Sequence, residues 1–210
     1  MARIYVPGLS VHVIRRGINR RDIFCDADDR ITFLETLREA ADNGRAAIHA
    51  YVLMSNHYHV LATPTDEQSL PTMMKALGEE YVRYFNRKYG RIGTLWTGRY
   101  RGLTIITERY WLNCLRYIEQ NPVRAHIVKA PEDHPWSSYS THGLGTRCEW
   151  LTEHQVYQGL GPNQRDRQAV YRSICNVPLS EEELRTVRRP PVPVIVALPA
   201  APASELAVQV

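Results

Sequence analysis

An α+β fold, with helices packed on an antiparallel sheet, is what this sequence predicts, and three observations carry the prediction. Alternating or β-branched residues recur at 10–18, 47–54, 57–63 and 103–106 and read as strands. Between and after them, at 28–43, 69–85 and 107–121, apolar residues return every third or fourth position, which reads as helix. The resulting order is strand, helix, strand, strand, helix, strand, helix. Its first six members match the split βαβ arrangement (βαββαβ) of a ferredoxin-like or RNA-recognition-like domain. The seventh is an additional helix able to lie over the sheet face that the first two leave open.

The first strand runs Ser-Val-His-Val-Ile-Arg-Arg-Gly-Ile, and Gly17 loosens it into Asn19-Arg20-Arg21. Arg15, Arg16, Arg20 and Arg21 cluster there; such a group grips phosphates, and the same wording also describes a solvated charged face. Helix one rests on Ile31, Leu34, Leu37 and Ala41, with acidic residues in its first turn and Asn43-Gly44 as its stop. Residues 47–54 and 57–63 form a hairpin about Ser55-Asn56, in which the lone His49 reads as structural. The second helix has Ser69 as N-cap and Pro71 in its first turn, with Leu70, Met73, Met74, Leu77, Tyr81, Tyr84 and Phe85 on one stripe, ordinary for core. Its exit, residues 83–91, interleaves Arg and Lys with Tyr and Phe. That pattern suits a nucleic-acid strand, or plain solvation of the charges.

A glycine-punctuated loop at 93–102 carries Trp96, Arg99, Tyr100 and Arg101 ahead of the short strand 103–106. In the last helix Trp111, Leu112, Leu115 and Ile118 form the apolar side before Pro122 ends it. Beyond Ala125 the pattern thins to a packed turn at Pro135–Tyr139 and short helical patches within 150–185. The expected division is a domain over 5–130, a small helical C-terminal extension over 131–188 and a disordered Pro- and Ala-rich tail over 189–210.

Composition narrows the partners. Only three of the 26 basic residues are lysines, so 23 are arginines. Arginine binds phosphate bidentately and stacks on bases, although a GC-rich genome gives the same bias. Cys25, Cys114, Cys148 and Cys175 are far apart and form no C-x-x-C pair, against a zinc ribbon or a disulfide framework and in keeping with a reducing cytoplasm. Neither a signal peptide nor a membrane span is expected.

The chemistry gathers at two places. On a strand His57 and His59 point to one side while Tyr58 and Val60 face the other, so two imidazoles can hold a divalent ion or be ordinary strand histidines. Tyr117 and Asn121, four apart, share one face of a helix. The Asn121 carbonyl can complete a neutral ligand set with His57 and His59, and the Tyr117 phenol can then attack a phosphate polarised by the ion, giving a phosphotyrosine. Structural zinc is disfavoured by the lack of nearby cysteines.

The Asn-His-Tyr-His run at 56–59, the Gly-x-Leu-Trp loop at 93–96 and Tyr117-Ile118-Glu119-Gln120-Asn121-Pro122-Val123-Arg124-Ala125 together resemble the single-tyrosine HUH transposases, IS200-like. Among these they look most like the REP-associated tyrosine transposases, over roughly residues 5–140. The resemblance implies that His57 and His59 are the HUH pair, with Tyr58 in place of the bulky hydrophobic residue. Tyr117 would be the nucleophile that takes a 5′ phosphate and frees a 3′ hydroxyl. Asn121 would be the third metal ligand, where many relatives carry Gln. The implied cofactor is Mg2+ or Mn2+ with no small-molecule cofactor, and the implied partner is single-stranded DNA folded into hairpins of REP type. Arg15, Arg16, Arg20 and Arg21 are then expected on the hairpin or its flank, and Arg99 and Arg101 near the cleavage point. A cytoplasmic monomer rather than a dimer is expected. The rival from another class is a non-catalytic hairpin binder on the same sheet.

Overall fold

Strands β1 (Val11–Arg16), β2 (Ala46–Met54), β3 (His57–Pro64) and β4 (Arg101–Thr104) pair antiparallel in the order β2-β3-β1-β4, the ferredoxin-like arrangement. The computed structural model describes residues 5–189. The tail expected over 189–210 therefore lies, from residue 190 on, outside the described residues.

Because side chains alternate along a strand, each strand serves two cores. Val11 and Val13 of β1 and Tyr58, Val60 and Ala62 of β3 face one side. There α1 (Ala27–Gly44) and α2 (Ser69–Tyr89) close over them with Phe33, Leu37, Leu70, Leu77 and Tyr81. On the other side α3 (Glu108–Glu119) lays Trp111, Leu115 and Ile118 against Val52, Met54 and Leu61. His57 and His59 share this second face. The register sets His59 opposite Ile14 and His57 opposite Arg16 on β1.

Three details depart from the sequence reading. In α1 the buried stripe is Phe33, Leu37, Ala40 and Ala41, whereas Ile31 is 47% exposed, so the helix is rotated toward its aromatic residue. The start of α2 is held by Asp66, whose Oδ1 accepts from the Gln68 and Ser69 amides, and Ser69 lies inside the helix. Strand β4 begins two residues early and stops at Thr104 because its partners are Val11 to Ile14 of β1. Tertiary pairing here outweighs the apolar run that ends at Ile106.

The extension is a 3-10 turn (Pro131–Asp133) followed by α5 (Tyr139–His142), α6 (Gln155–Gln158), α7 (Gln164–Cys175) and α8 (Glu181–Arg188). Tyr139, Tyr157, Tyr171, Cys175 and Val187 join the core formed by α3. The Leu53 amide donates to Trp136 O at 2.9 Å and Val52 bridges Ser137, so the extension also covers the free edge of β2. Among the described residues no helix is long and apolar enough to cross a membrane.

A bulge between Ile48 and Ala50 leaves His49 as the extra residue of β2. Its Nδ1 contacts Thr152 O at 2.8 Å and its Nε2 contacts Thr63 Oγ1 at 2.7 Å, so the ring joins strand and extension. Burial holds its pKa at about 4, against the opposing effect of Thr152 O. The unfolded chain protonates this ring near pH 6.5 while the folded one resists until about pH 4. The unfolded state therefore binds more protons in that window, and stability falls as pH drops through it. At pH 5 the loss from this ring is about 2 kcal/mol. The Tm difference between pH 7.5 and 5 should accordingly shrink in His49→Gln, and an unchanged difference would remove the assignment.

Candidate active site

The tight turn of the β2–β3 hairpin is where the site begins. Asn56 Oδ1 lies 2.7 Å from His57 Nδ1; an amide oxygen only accepts, so Nδ1 carries the hydrogen and Nε2 keeps its lone pair. The other end of the same amide donates to Arg20 O at 3.2 Å, and Asn56 O accepts from the Gly17 amide at 2.9 Å. Asn56 thereby ties His57 to the turn after β1. In that turn Asn19 and Arg20 sit at φ 53° and 58°, a left-handed conformation that costs about 1–2 kcal/mol per residue and is stabilised by these bonds.

His59 is fully built in. Its Nδ1 lies 2.8 Å from His12 Nε2, and its Nε2 lies 3.2 Å from Asn121 Nδ2. With the Asn121 NH2 donating to Nε2, His59 must donate through Nδ1 to His12, so its Nε2 also holds a lone pair. Burial drives the pKa of His59 well below the usual value, and His12, His57, Arg16 and Arg124 add to it. The pKa of His57 is lowered to about 4 by burial, then by Arg16, and that of His12 to about 3 by burial, then by Arg101. All three rings are thus neutral at pH 7, the state in which imidazole binds metal. The two Nε2 lone pairs fit a divalent cation, and the Asn121 amide fits as a third neutral donor once it turns its Oδ1, in place of the NH2 that now donates to His59 Nε2, toward the ion. Among the described residues no group of three or more His, Cys, Asp or Glu forms a metal cluster; the third neutral group beside the two imidazoles is the Asn121 amide.

Tyr117 stands over this cluster, its ring centroid 5.7 Å from that of His59 and 5.9 Å from that of His12, edge to face in both cases. The Arg124 guanidinium lies 4.4 Å from the Tyr117 ring centroid, a cation–π contact. Tyr117 and Asn121 are not on one continuous helix as expected. Pro122 lacks an amide hydrogen and its ring would crowd the Ile118 carbonyl, so α3 ends at Glu119 and a separate turn, α4 (Asn121–Arg124), begins with Pro122 in its first turn. Both side chains still meet at His59.

Glu119, between Tyr117 and Asn121, is completely buried. Its carboxylate accepts from Ser138 Oγ and from Tyr171 Oη at 2.6 Å, and His142 Nδ1 lies 2.7 Å from Oε1. Gln120 Nε2 donates to Cys175 O, and Arg116 Nη2 donates to Val177 O at 2.5 Å. The last turn of α3 is therefore pinned by the extension.

Of the arginines singled out from the sequence, Arg16 and Arg101 lie on the histidine face, close enough to lower the pKa of His57 and His12. Arg20 and Arg21 are exposed in the adjoining turn. Arg15 and Arg99 line a groove against α2 on the opposite face. Sequence reasoning missed four residues: His12, Asn56, Arg124 and Glu119. Asn56, Glu119 and Arg124 stand inside recognised motifs, the role of Glu119 appearing only with the packing of the extension; His12 needed the β1–β3 register.

A family model described as "Transposase IS200 like" matches residues 5–121. No curated protein matches the chain. Among solved structures, a REP-associated tyrosine transposase bound to a REP hairpin is similar at TM-score 0.59 and 17% identity, over 73% of this chain and 97% of that one. A Deinococcus radiodurans protein described as a transposase is similar at TM-score 0.41 and 24% identity, over 57% of this chain and 95% of that one. The tRNA(His) guanylyltransferase of Saccharomyces cerevisiae is similar at TM-score 0.42 and 10% identity, over 84% and 82%; nothing rests on these last two. The first shares the fold. Since the family match spans more than half of the sequence and contains the whole histidine–tyrosine cluster, the chain belongs to the IS200-like transposase family.

Proposed function

We propose that the protein is a metal-dependent endonuclease and strand transferase acting on single-stranded DNA at hairpins of REP type. The carrying observation is the convergence of Tyr117 on His59, whose Nε2 faces Asn121. His57, His59 and Asn121 would hold Mg2+ or Mn2+, whose charge would polarise the scissile phosphate. Tyr117 Oη attacks phosphorus and loses its proton to water. The P–O3′ bond breaks, and the leaving 3′ oxygen takes up a proton while Tyr117 keeps the 5′ phosphate. Arg124, 4.4 Å from the Tyr117 ring centroid, adds positive charge for the approaching phosphate. Arg16, Arg20, Arg21 and Arg101 line the approach of the DNA on this face. Residues 5–130 form the transposase domain; the extension, 131–188, completes its core in the same chain, which supports a monomer.

Incubation with Mn2+ and hairpin DNA should give a covalent species, seen on a denaturing gel and by intact mass, that EDTA prevents. Tight hairpin binding without any such species would favour the non-catalytic binder instead. The hydrogen bond from His57 to Asn56 bears on the metal alone: Asn56→Ala should weaken Mn2+ binding by about ten- to a hundredfold, measured calorimetrically without DNA. Unchanged affinity would show that the bond does not set the ring.

A further inference from the structure

His12 is a polar residue at a place that suits an apolar one. Strand β1 is interior to the sheet, and its register sets His12 between Leu61 of β3 and Leu103 of β4, on the face that α3 covers. Val11 and Val13 on either side of it are fully buried in the opposite core, and His12 itself is completely buried. Its Nε2 has a partner, His59 Nδ1 at 2.8 Å, whereas its Nδ1 has none. A buried polar atom left unmatched costs about 1–3 kcal/mol, and a leucine at this position would carry no such atom. A rule of core packing is broken here, and such breaks concentrate at functional sites.

The hydrogen bond that His12 accepts governs where His59 keeps its hydrogen. A neutral imidazole has one N–H and one bare nitrogen. With His59 Nδ1 donating to His12 Nε2, the bare nitrogen of His59 is Nε2, the atom that faces Asn121. Without an acceptor at residue 12 a buried Nδ1–H would be stranded, and the hydrogen is better placed on Nε2, where Asn121 can turn its Oδ1 to receive it. The nitrogen that a cation needs would then be capped. A ring that accepts through Nε2 is also uncharged, so His12 orients His59 without bringing negative charge to a site that receives a phosphate. The two rings lie 5.0 Å apart at 25°, and Tyr117 meets both edge-on.

We infer that His12 is a positioning residue, which holds His59 in the tautomer whose bare Nε2 can bind a divalent cation, although a leucine in its place would suit the fold better. The inference rests on the proposed function and adds a residue of β1 to it. Asn56 does the same for His57 from the adjoining turn. His59 lies inside the sheet, so its acceptor comes from the neighbouring strand, and there the register places His12 two residues from the Ile14 that stands opposite His59.

The test compares the parent with His12→Leu and His12→Gln, the second of which keeps an acceptor oxygen close to the reach of Nε2. Long-range proton–nitrogen correlation spectra of the full chain in EDTA report which nitrogen of His59 is bare. Calorimetry with Mn2+ and no DNA gives the metal affinity, and thermal unfolding in EDTA gives the Tm. In His12→Leu the His59 hydrogen should move to Nε2, Mn2+ affinity should fall about ten- to a hundredfold, and the Tm should hold or rise. His12→Gln should keep the hydrogen on Nδ1 and recover most of the affinity. A His59 that stays protonated on Nδ1 in His12→Leu, or an Mn2+ affinity equal to the parent's, would overturn the assignment. So would a lower Tm with lost affinity in both variants, the mark of a core residue and nothing more. Failure of the parent to bind Mn2+ would instead reject the metal reading of the site, and this role with it.

Discussion

Tyr117→Phe should eliminate the covalent DNA species while leaving hairpin affinity within about twofold, because only the nucleophilic oxygen is removed. The phenylalanine ring can keep the edge contacts to His12 and His59 and the Arg124 guanidinium over its face. Tyr117 is only partly buried, so folding should be little affected. Strand cleavage should fall by at least about 10^4-fold, the scale seen when a catalytic nucleophile is deleted. Among the described residues Tyr117 is the tyrosine whose ring meets His59, whereas the nearby Tyr58 is fully buried and faces the opposite core. Undiminished adduct in the variant, with the DNA mapped to another side chain, would reject Tyr117 as nucleophile.

Glu119→Ala should be the most destabilising single change in the second core. Removal of the carboxylate strips Ser138, His142 and Tyr171 of a shared buried partner, and breaking a buried charge-assisted cluster from one side costs about 3–5 kcal/mol. For a domain of this size that is a Tm loss of about 10 °C. Glu119→Gln keeps one acceptor oxygen and the side-chain volume, and should lose roughly 1–3 kcal/mol. Denaturant unfolding at pH 7.5 measures both. Equal, small losses in the two variants would mean that the cluster contributes packing and little else.

The sheet and its main helices were legible because strand alternation and helical periodicity are local signals, and the hairpin could be placed from Ser55-Asn56. Boundaries failed where a partner decides. The apolar stretch 103–106 suggested a strand two residues out of step because only pairing with β1 fixes β4. Ile31 fitted the helical repeat yet lies outside the core, since Phe33 fills the space against Tyr58. At the site, the residues in short motifs were visible and their neighbours were not. Nothing local to Ser-Val-His-Val says that His12 will meet a histidine 47 positions away. A glutamate within an amphipathic helix likewise reads as solvent-facing until Tyr171, 52 positions on, is seen to donate to it. The arginines shared one stretch of sequence but were divided by the strand's own alternation.

The pinning of α3 from the far end of the chain has a consequence for how the protein is made. The family-matched region ends at residue 121, yet Tyr171, Cys175 and Val187 close the core beneath Tyr117. A ribosome that has released only the matched region has delivered His57, His59, Tyr117 and Asn121, but not the contacts that hold the last turn of α3. With synthesis at about 5–20 residues per second, several seconds separate the two events. The newborn chain should therefore remain unable to nick DNA until its extension has emerged and docked, which makes translation itself the first control on the enzyme.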